Sequence, residues 1–339
     1  MRRAGSVTEL VGRARQGDLR AVARLVSWIE DGAEQLPALM AALADPTRGD
    51  GSGPHVVGIT GPPGVGKSTL SSALIGAYRA RGERVAVLAV DPSSPFSGGA
   101  LLGDRVRMQE HATDGGVFIR SMASRGHLGG LATATPLALH VLAAAGFAVV
   151  LVETVGVGQS EIEVAGTADT VVVVLAPGMG DGIQAAKAGI LEIGDVYVVN
   201  KSDRDGAETA ARELRNMLRL GDPVASDGWD RPVLRTVAST GSGVPELVAA
   251  LGAHRTWAVE GGALQVRRHA RAVDEVTALA LARLRDRTVD PLRGALLQDL
   301  AARVAAGELD AYRAAAQLLD AGVAQGAAVS AGATPTGPS

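Results

Sequence analysis

The stretch that most limits what this chain can fold into is "HVVGITGPPGVGKSTL", residues 55–70. A β-branched apolar run gives way to Gly61-Pro62-Pro63-Gly64-Val65-Gly66-Lys67-Ser68, and a serine- and alanine-rich stretch with helical spacing follows. That is G-x4-G-K-[ST] between a strand and a helix. In this setting the glycines let successive backbone N–H groups turn inward around phosphate oxygens, and the helix N-terminus adds its positive end. Lys67 then reaches the β and γ phosphates as a compact point charge, Ser68 offers its hydroxyl to Mg2+, and Thr69 completes the phosphate-binding set. The alternative is a glycine-rich turn with no ligand, and the complete motif with both flanks argues against it. Composition sharpens the reading of the lysine: of 33 basic residues only Lys67, Lys187 and Lys201 are lysines. Where arginine is so strongly preferred, each lysine becomes a candidate for work that an arginine fork does badly.

The surroundings of the loop set the fold class. From residue 55 to about 256, apolar runs alternate with helical stretches; the runs are "HVVGIT", "RVAVLAVD", "VFIRS", "AVVLVET", "TVVVVLAP", "DVYVVNKSD" and "PVLRTVAS". Several are apolar throughout rather than alternating, as in strands buried on both faces of a mostly parallel sheet. The expectation is an α/β protein with a doubly wound, mostly parallel sheet over 55–256. Residues 1–50 form a helical extension, with two amphipathic helices inside 6–45, and the Gly/Pro/Asp-rich "DPTRGDGSGP" marks its boundary. Two or three helices occupy 262–321, and the small, polar 325–339 reads as a disordered tail. No internal repeat is evident.

The bulk properties remove other classes. A chain of 339 residues, 47% hydrophobic and 20% charged, can build a large core. A net charge of −3 gives no sign of a nucleic-acid or anionic-membrane partner. The absence of cysteine excludes disulfides, thiolate nucleophiles and cysteine metal sites, and the six histidines show no H-x3-H spacing. No apolar run reaches the ~18 residues of a membrane span, and "MRRAGSVTEL" lacks the apolar core of a secretory signal. A cytoplasmic protein is expected.

Further motifs narrow the ligand. Asn200-Lys201-Ser202-Asp203 closes a strand and fits N-K-x-D. Its aspartate would accept from guanine N1–H and the 2-amino group, donors that adenine lacks in that arrangement. Lys201 would lie along the base and Asn200 would brace the loop. In "VLVETVGVGQSE" the strand ends at Glu153 and Gly156 follows, so Glu153 would hold Mg2+ through water and the Gly156 amide would sense the γ phosphate. Asp91 closes the strand "RVAVLAVD", expected beside the phosphate-loop strand, and either approaches the metal or caps a turn. Asp104, in "GGALLGDRVRM", is either a switch residue for the triphosphate state or a solvated loop charge. Gln159, three residues past Gly156, could orient the attacking water only after the loop rearranges. Lys187 is a partner-sensitive switch or a plain surface lysine. Arg125 and His127, in "SRGHLGG", are weaker candidates near the phosphates.

Together "GPPGVGKST", "VLAVDPSSPFSGGALLGDRVRM", "FIRSMASRGHLGG", "VLVETVGVGQSE", "GILEIGDVYVVNKSD" and "RVAAGELDAYRAAAQLLD" resemble the MeaB/ArgK-type GTPases, to about residue 321. The resemblance implies a homodimer joined through C-terminal helices. It implies hydrolysis of GTP to GDP, and a chaperone that protects and loads an adenosylcobalamin-dependent acyl-CoA mutase, typically methylmalonyl-CoA mutase. It also implies Ser68, Asp91, Asp104 and Glu153 around Mg2+, and a base-reading loop at Val237-Ala238-Ser239 in which the Ala238 amide bonds guanine O6. Here that loop reads Thr236-Val237-Ala238 where relatives carry a serine at the middle position, so a bracing hydroxyl is lost. Two other readings stay open: a GTP-dependent metal-insertion accessory protein, which the lack of cysteine and histidine clusters disfavours, and a nucleotide-dependent kinase of basic-amino-acid transport, which the guanine motif disfavours.

Overall fold

The computed structural model describes residues 6–44, 53–92, 108–124, 130–154, 160–178, 191–221, 228–288 and 295–331. The chain divides into two compact units, Met1–Val273 and Asp274–Ser339.

Seven strands, β1 (His55–Thr60), β2 (Val85–Pro92), β3 (Val117–Ser124), β4 (Val149–Thr154), β5 (Thr170–Leu175), β6 (Val196–Val199) and β7 (Val233–Arg235), form one sheet in the order β3-β2-β4-β1-β5-β6-β7. Every pairing is parallel. The apolar runs sit as their composition requires, since β1, β4, β5 and β6 are buried along their whole lengths. Alternate residues feed two cores. Val57, Ile59, Leu151, Val172 and Val174 pack with Leu70 and Leu74 of α4 (Lys67–Ala80) and Leu247 and Leu251 of α8 (Val244–Glu260). Val171, Val173, Leu175, Tyr197 and Val199 face the other way, onto Ala211 and Leu214 of α7 (Ala207–Gly221). Two further helices, α5 (Gly130–Ala144) and α6 (Ser160–Thr167), complete the doubly wound arrangement.

One expectation about this sheet is corrected. The strand ending in Asp91 does not lie beside β1, because β4 intervenes and pairs with both β1 and β2. The β4 strand, apolar over Val149–Val152 and buried along its whole length, takes the central place next to the phosphate-loop strand.

The N-terminal segment holds three helices rather than two: α1 (Val7–Arg15), α2 (Leu19–Glu30) and α3 (Leu36–Leu43). The extra break falls at Gly17-Asp18. Gly17 adopts φ 89°, and the Asp18 carboxylate caps the next helix by accepting from the amides of Arg20 at 2.9 Å and Ala21 at 3.3 Å. Arg120 of β3 ties this layer to the sheet by pairing with Glu30 and donating to the Ser27 hydroxyl at 3.1 Å. Toward the C-terminus, α9 (Ala263–Thr288), α10 (Ala295–Ala305) and α11 (Ala311–Ala331) follow, the last running beyond residue 325. Among the described residues no helix is long and apolar enough to cross a membrane.

At the amino-terminal ends of β5 and β6 lies a buried charge cluster. Asp195 accepts both Nη1 and Nη2 of Arg267 at 2.7 Å, and its carboxylate also takes the Val171 amide at 2.8 Å. Asp169 accepts from Arg268 and Arg271, each at 2.9 Å, and from the Val56 amide at 3.1 Å. Beside them the Thr170 hydroxyl stands 2.7 Å from both His55 Nε2 and His254 Nδ1. The start of α9 is thereby fastened to the end of the sheet opposite the phosphate loop.

Candidate functional site

The loop after β1 has the conformation its glycines allow. Gly61 adopts φ 137°, and a Cβ there would stand 2.1 Å from the Val174 carbonyl oxygen. Gly66 adopts φ 95°, and its Cβ would meet Asn200 Nδ2 at 2.6 Å. Both positions therefore demand glycine. Gly66 is also the N-cap of α4 and offers that helix no capping side chain, so the first-turn amides face the loop. Val65 is fully buried and pins the loop to the core, while Pro63 and Gly64 stay exposed at its crest. The Lys67 ammonium is folded back into the loop, where it donates to the carbonyls of Gly61 at 2.6 Å and Pro62 at 3.2 Å. The loop thus holds the ammonium close to its own backbone at the N-terminus of α4, where phosphate oxygens are received in loops of this kind.

Beside the loop stands Glu153, 2% exposed, at the carboxyl end of β4 and in register with Ile59 of β1. Ser68 donates to its Oε1 at 2.6 Å, and Ser71 to its Oε2 at 2.8 Å. Ser71 escaped the reading of the sequence; its three-residue spacing from Ser68 on a helix was the available signal. Asp91 is the penultimate residue of β2 at the same carboxyl edge, its backbone paired with Ala123. Asp104, Gly156, Gln159, Lys187, Arg125 and His127 lie outside the described residues.

The two segments expected to read the base meet the phosphate loop at one buried side chain. Asn200 Nδ2 donates to the Val65 carbonyl at 2.9 Å, and Asn200 Oδ1 accepts from the Thr236 hydroxyl and the Ala238 amide, both at 3.1 Å. Lys201 takes φ 56°, the only non-glycine positive value among the described residues, and its ammonium reaches the Gly64 carbonyl at 2.7 Å. Asp203 and Ser239 are exposed, Val237 is half-buried and Ala238 is buried. Bracing hydroxyls are present despite the valine at 237: Thr236 bonds Asn200, and Thr240 donates to the Val237 carbonyl at 3.2 Å. The structure thus gathers Lys67, Ser68, Glu153, Asn200, Lys201 and Ala238 around one loop. Among the described residues no trio of His, Cys, Asp or Glu is grouped to hold a metal ion by itself.

Such a loop, at the carboxyl edge of the central strand of an all-parallel sheet, makes this a P-loop protein, of the class built to hold nucleotide phosphates. Within that class the chain belongs to the Methylmalonyl Co-A mutase-associated GTPase MeaB family, whose family model matches residues 22–291. A protein of Pyrococcus abyssi named as a GTPase is 44% identical over 314 residues, covering 92% of this chain and 96% of its own. The mitochondrial methylmalonic aciduria type A homolog of Mus musculus is 42% identical over 194 residues, 56% of this chain and 46% of that one. The crystal structure of an LAO/AO transport system kinase superposes with a TM-score of 0.66 at 26% identity, covering 94% of this chain and 98% of that one.

Proposed function

We propose that this protein binds and hydrolyses GTP, and that it serves as a chaperone gating cofactor loading and protecting an adenosylcobalamin-dependent acyl-CoA mutase, with methylmalonyl-CoA mutase as the first candidate. The observation that carries the nucleotide reading is the junction at Asn200. One buried side chain joins the phosphate loop at Val65 to the base-reading segment at Thr236 and Ala238, so phosphate and base sites form a single unit. The family match, and its named association with methylmalonyl Co-A mutase, support the choice of partner.

In this reading Lys67 exchanges the carbonyls of Gly61 and Pro62 for phosphate oxygens, Asp203 accepts from the guanine edge, and Lys201 lies along the base. The loop also suits Mg2+, which takes hard oxygen ligands. The Ser68 hydroxyl donates its proton to Glu153, and as a hard oxygen at the start of the helix it could offer a lone pair to a cation. Ser68 would ligate the metal directly and Glu153 through water, with Asp91 and Asp104 as further acidic groups. Bound Mg2+ would neutralise charge developing between the β and γ phosphates. A homodimer completes the proposal. It is supported by apolar side chains left exposed in the second unit, Val276 at 67%, Leu281 at 62% and Tyr312 at 88%.

The test is steady-state GTP hydrolysis with and without the purified mutase. Slow turnover alone, rising ~100-fold or more with the mutase as it orders the site, is expected. A fast basal rate indifferent to the mutase would contradict the chaperone reading. Transfer of the γ-phosphate to protein with ATP preferred would favour a kinase instead. The same preparations in the ultracentrifuge should sediment as a dimer, and a monomer would remove that element of the proposal.

A further inference from the structure

Ser68 and Ser71 both hold Glu153, and of these only Ser68 belongs to the phosphate-loop motif. Ser68 and Ser71 stand three positions apart on α4, hence on one helix face, and each donates to a different oxygen of the same carboxylate. Ser71 is 0% exposed and lies among the fully buried Leu70, Leu74 and Ile75. A position so enclosed ordinarily holds an apolar side chain, so a hydroxyl here is informative. The neighbouring Ser72 turns elsewhere, to Glu110 and His111, and does not share the task. Ser68 sits in the first turn of α4, where the helix meets the phosphate loop. Ser71 is one turn deeper, between α4 and β4, at the central strands of the sheet.

We propose that Ser71 is a positioning residue for the metal-dependent step of the hydrolysis described under the proposed function, on which this inference rests. A carboxylate held by one oxygen can rotate about its terminal bond. Held by both, it keeps its plane, and Oε1 stays directed at Ser68 when that hydroxyl takes a cation as well. Ser71 therefore acts through Glu153, touching neither nucleotide nor metal.

The experiment uses the full chain bound to GDP, with Mn2+ as the probe, titrated by electron paramagnetic resonance. Ser71→Ala should weaken Mn2+ binding ~10-fold or more, the usual size of losing a partner that orients a metal ligand. Ser71→Thr, which retains the hydroxyl, should restore it. GDP affinity measured in EDTA should stay unchanged in both variants. A purely structural serine would lower the melting temperature of Ser71→Ala and leave Mn2+ affinity as in the wild type, and that result would overturn the inference alone. Failure of the wild-type GDP complex to bind Mn2+ at all would overturn the functional reading and this inference with it.

Discussion

At the scale of single residues, Asn200 is the junction of the site. Its amide donates to the Val65 carbonyl and accepts from Thr236 and Ala238, all within a buried environment. Truncation to alanine strands several of these groups at once, and each buried polar group left unpaired costs about 1–3 kcal/mol. Asn200→Ala should therefore lower stability by about 2–4 kcal/mol and weaken GDP binding together. A thermal melt and a GDP titration on one preparation check this, and an unchanged melting temperature would contradict it. Much at this scale was legible in the sequence, because the phosphate loop needs glycine where φ is positive and lysine where a compact cation must fold inward. Glu153 was legible from its place after an apolar run. Ser71 was missed, because its three-residue spacing from Ser68 gains meaning only once the strand opposite is known. The Ala238 amide, expected to face guanine O6, donates to Asn200, which binds the two base-reading segments more closely than their separate motifs implied.

At the scale of elements, the start of α9 is fastened to β5 and β6 by a cluster that no motif announces. Its ion pairs span 72 to 102 residues of sequence, and arginine is so abundant here that Arg267, Arg268 and Arg271 do not stand out. The same blindness to distant partners applied to the sheet order, where β4 displaced β2 from the side of β1. The cluster has a pH signature. Burial would raise the Asp195 carboxyl, but the hydrogen bonds from Arg267 and the His254 ring 3.4 Å away outweigh it and hold it well below the ordinary carboxylate range. Asp169 is likewise lowered against its burial by Arg268 and Arg271. His55 is pushed down to about 4, chiefly by burial and then by the nearby charge of Arg255. A histidine lowered from an ordinary ~6.5 keeps its full stability above pH 6.5 and loses it as pH falls toward 4, because the unfolded chain takes up the proton first. The gap is worth about 3 kcal/mol. The two aspartates contribute stability above their unfolded value near 3.9 and lose it as pH falls further. Melting temperature should thus fall between pH 6.5 and 4, and His55→Gln should flatten that part of the curve. An identical slope in the variant would count against the assignment to His55.

For the whole molecule, the parallel sheet was readable because strands buried on both faces must be apolar throughout, and the helical ends because no such run occurs there. The partner was not readable from physical pattern alone. One α/β scaffold brings the phosphate loop, the Asn200–Asp203 motif and the Thr236–Ala238 segment to the same carboxyl edge and joins them through Asn200. The most direct measurement is calorimetric titration of the full chain with GDP and with ADP, each with Mg2+. A site built for the guanine donors should bind GDP ~100-fold or more tighter than ADP, since a buried acceptor left unpaired penalises the wrong base. Equal affinities for the two nucleotides would contradict the account.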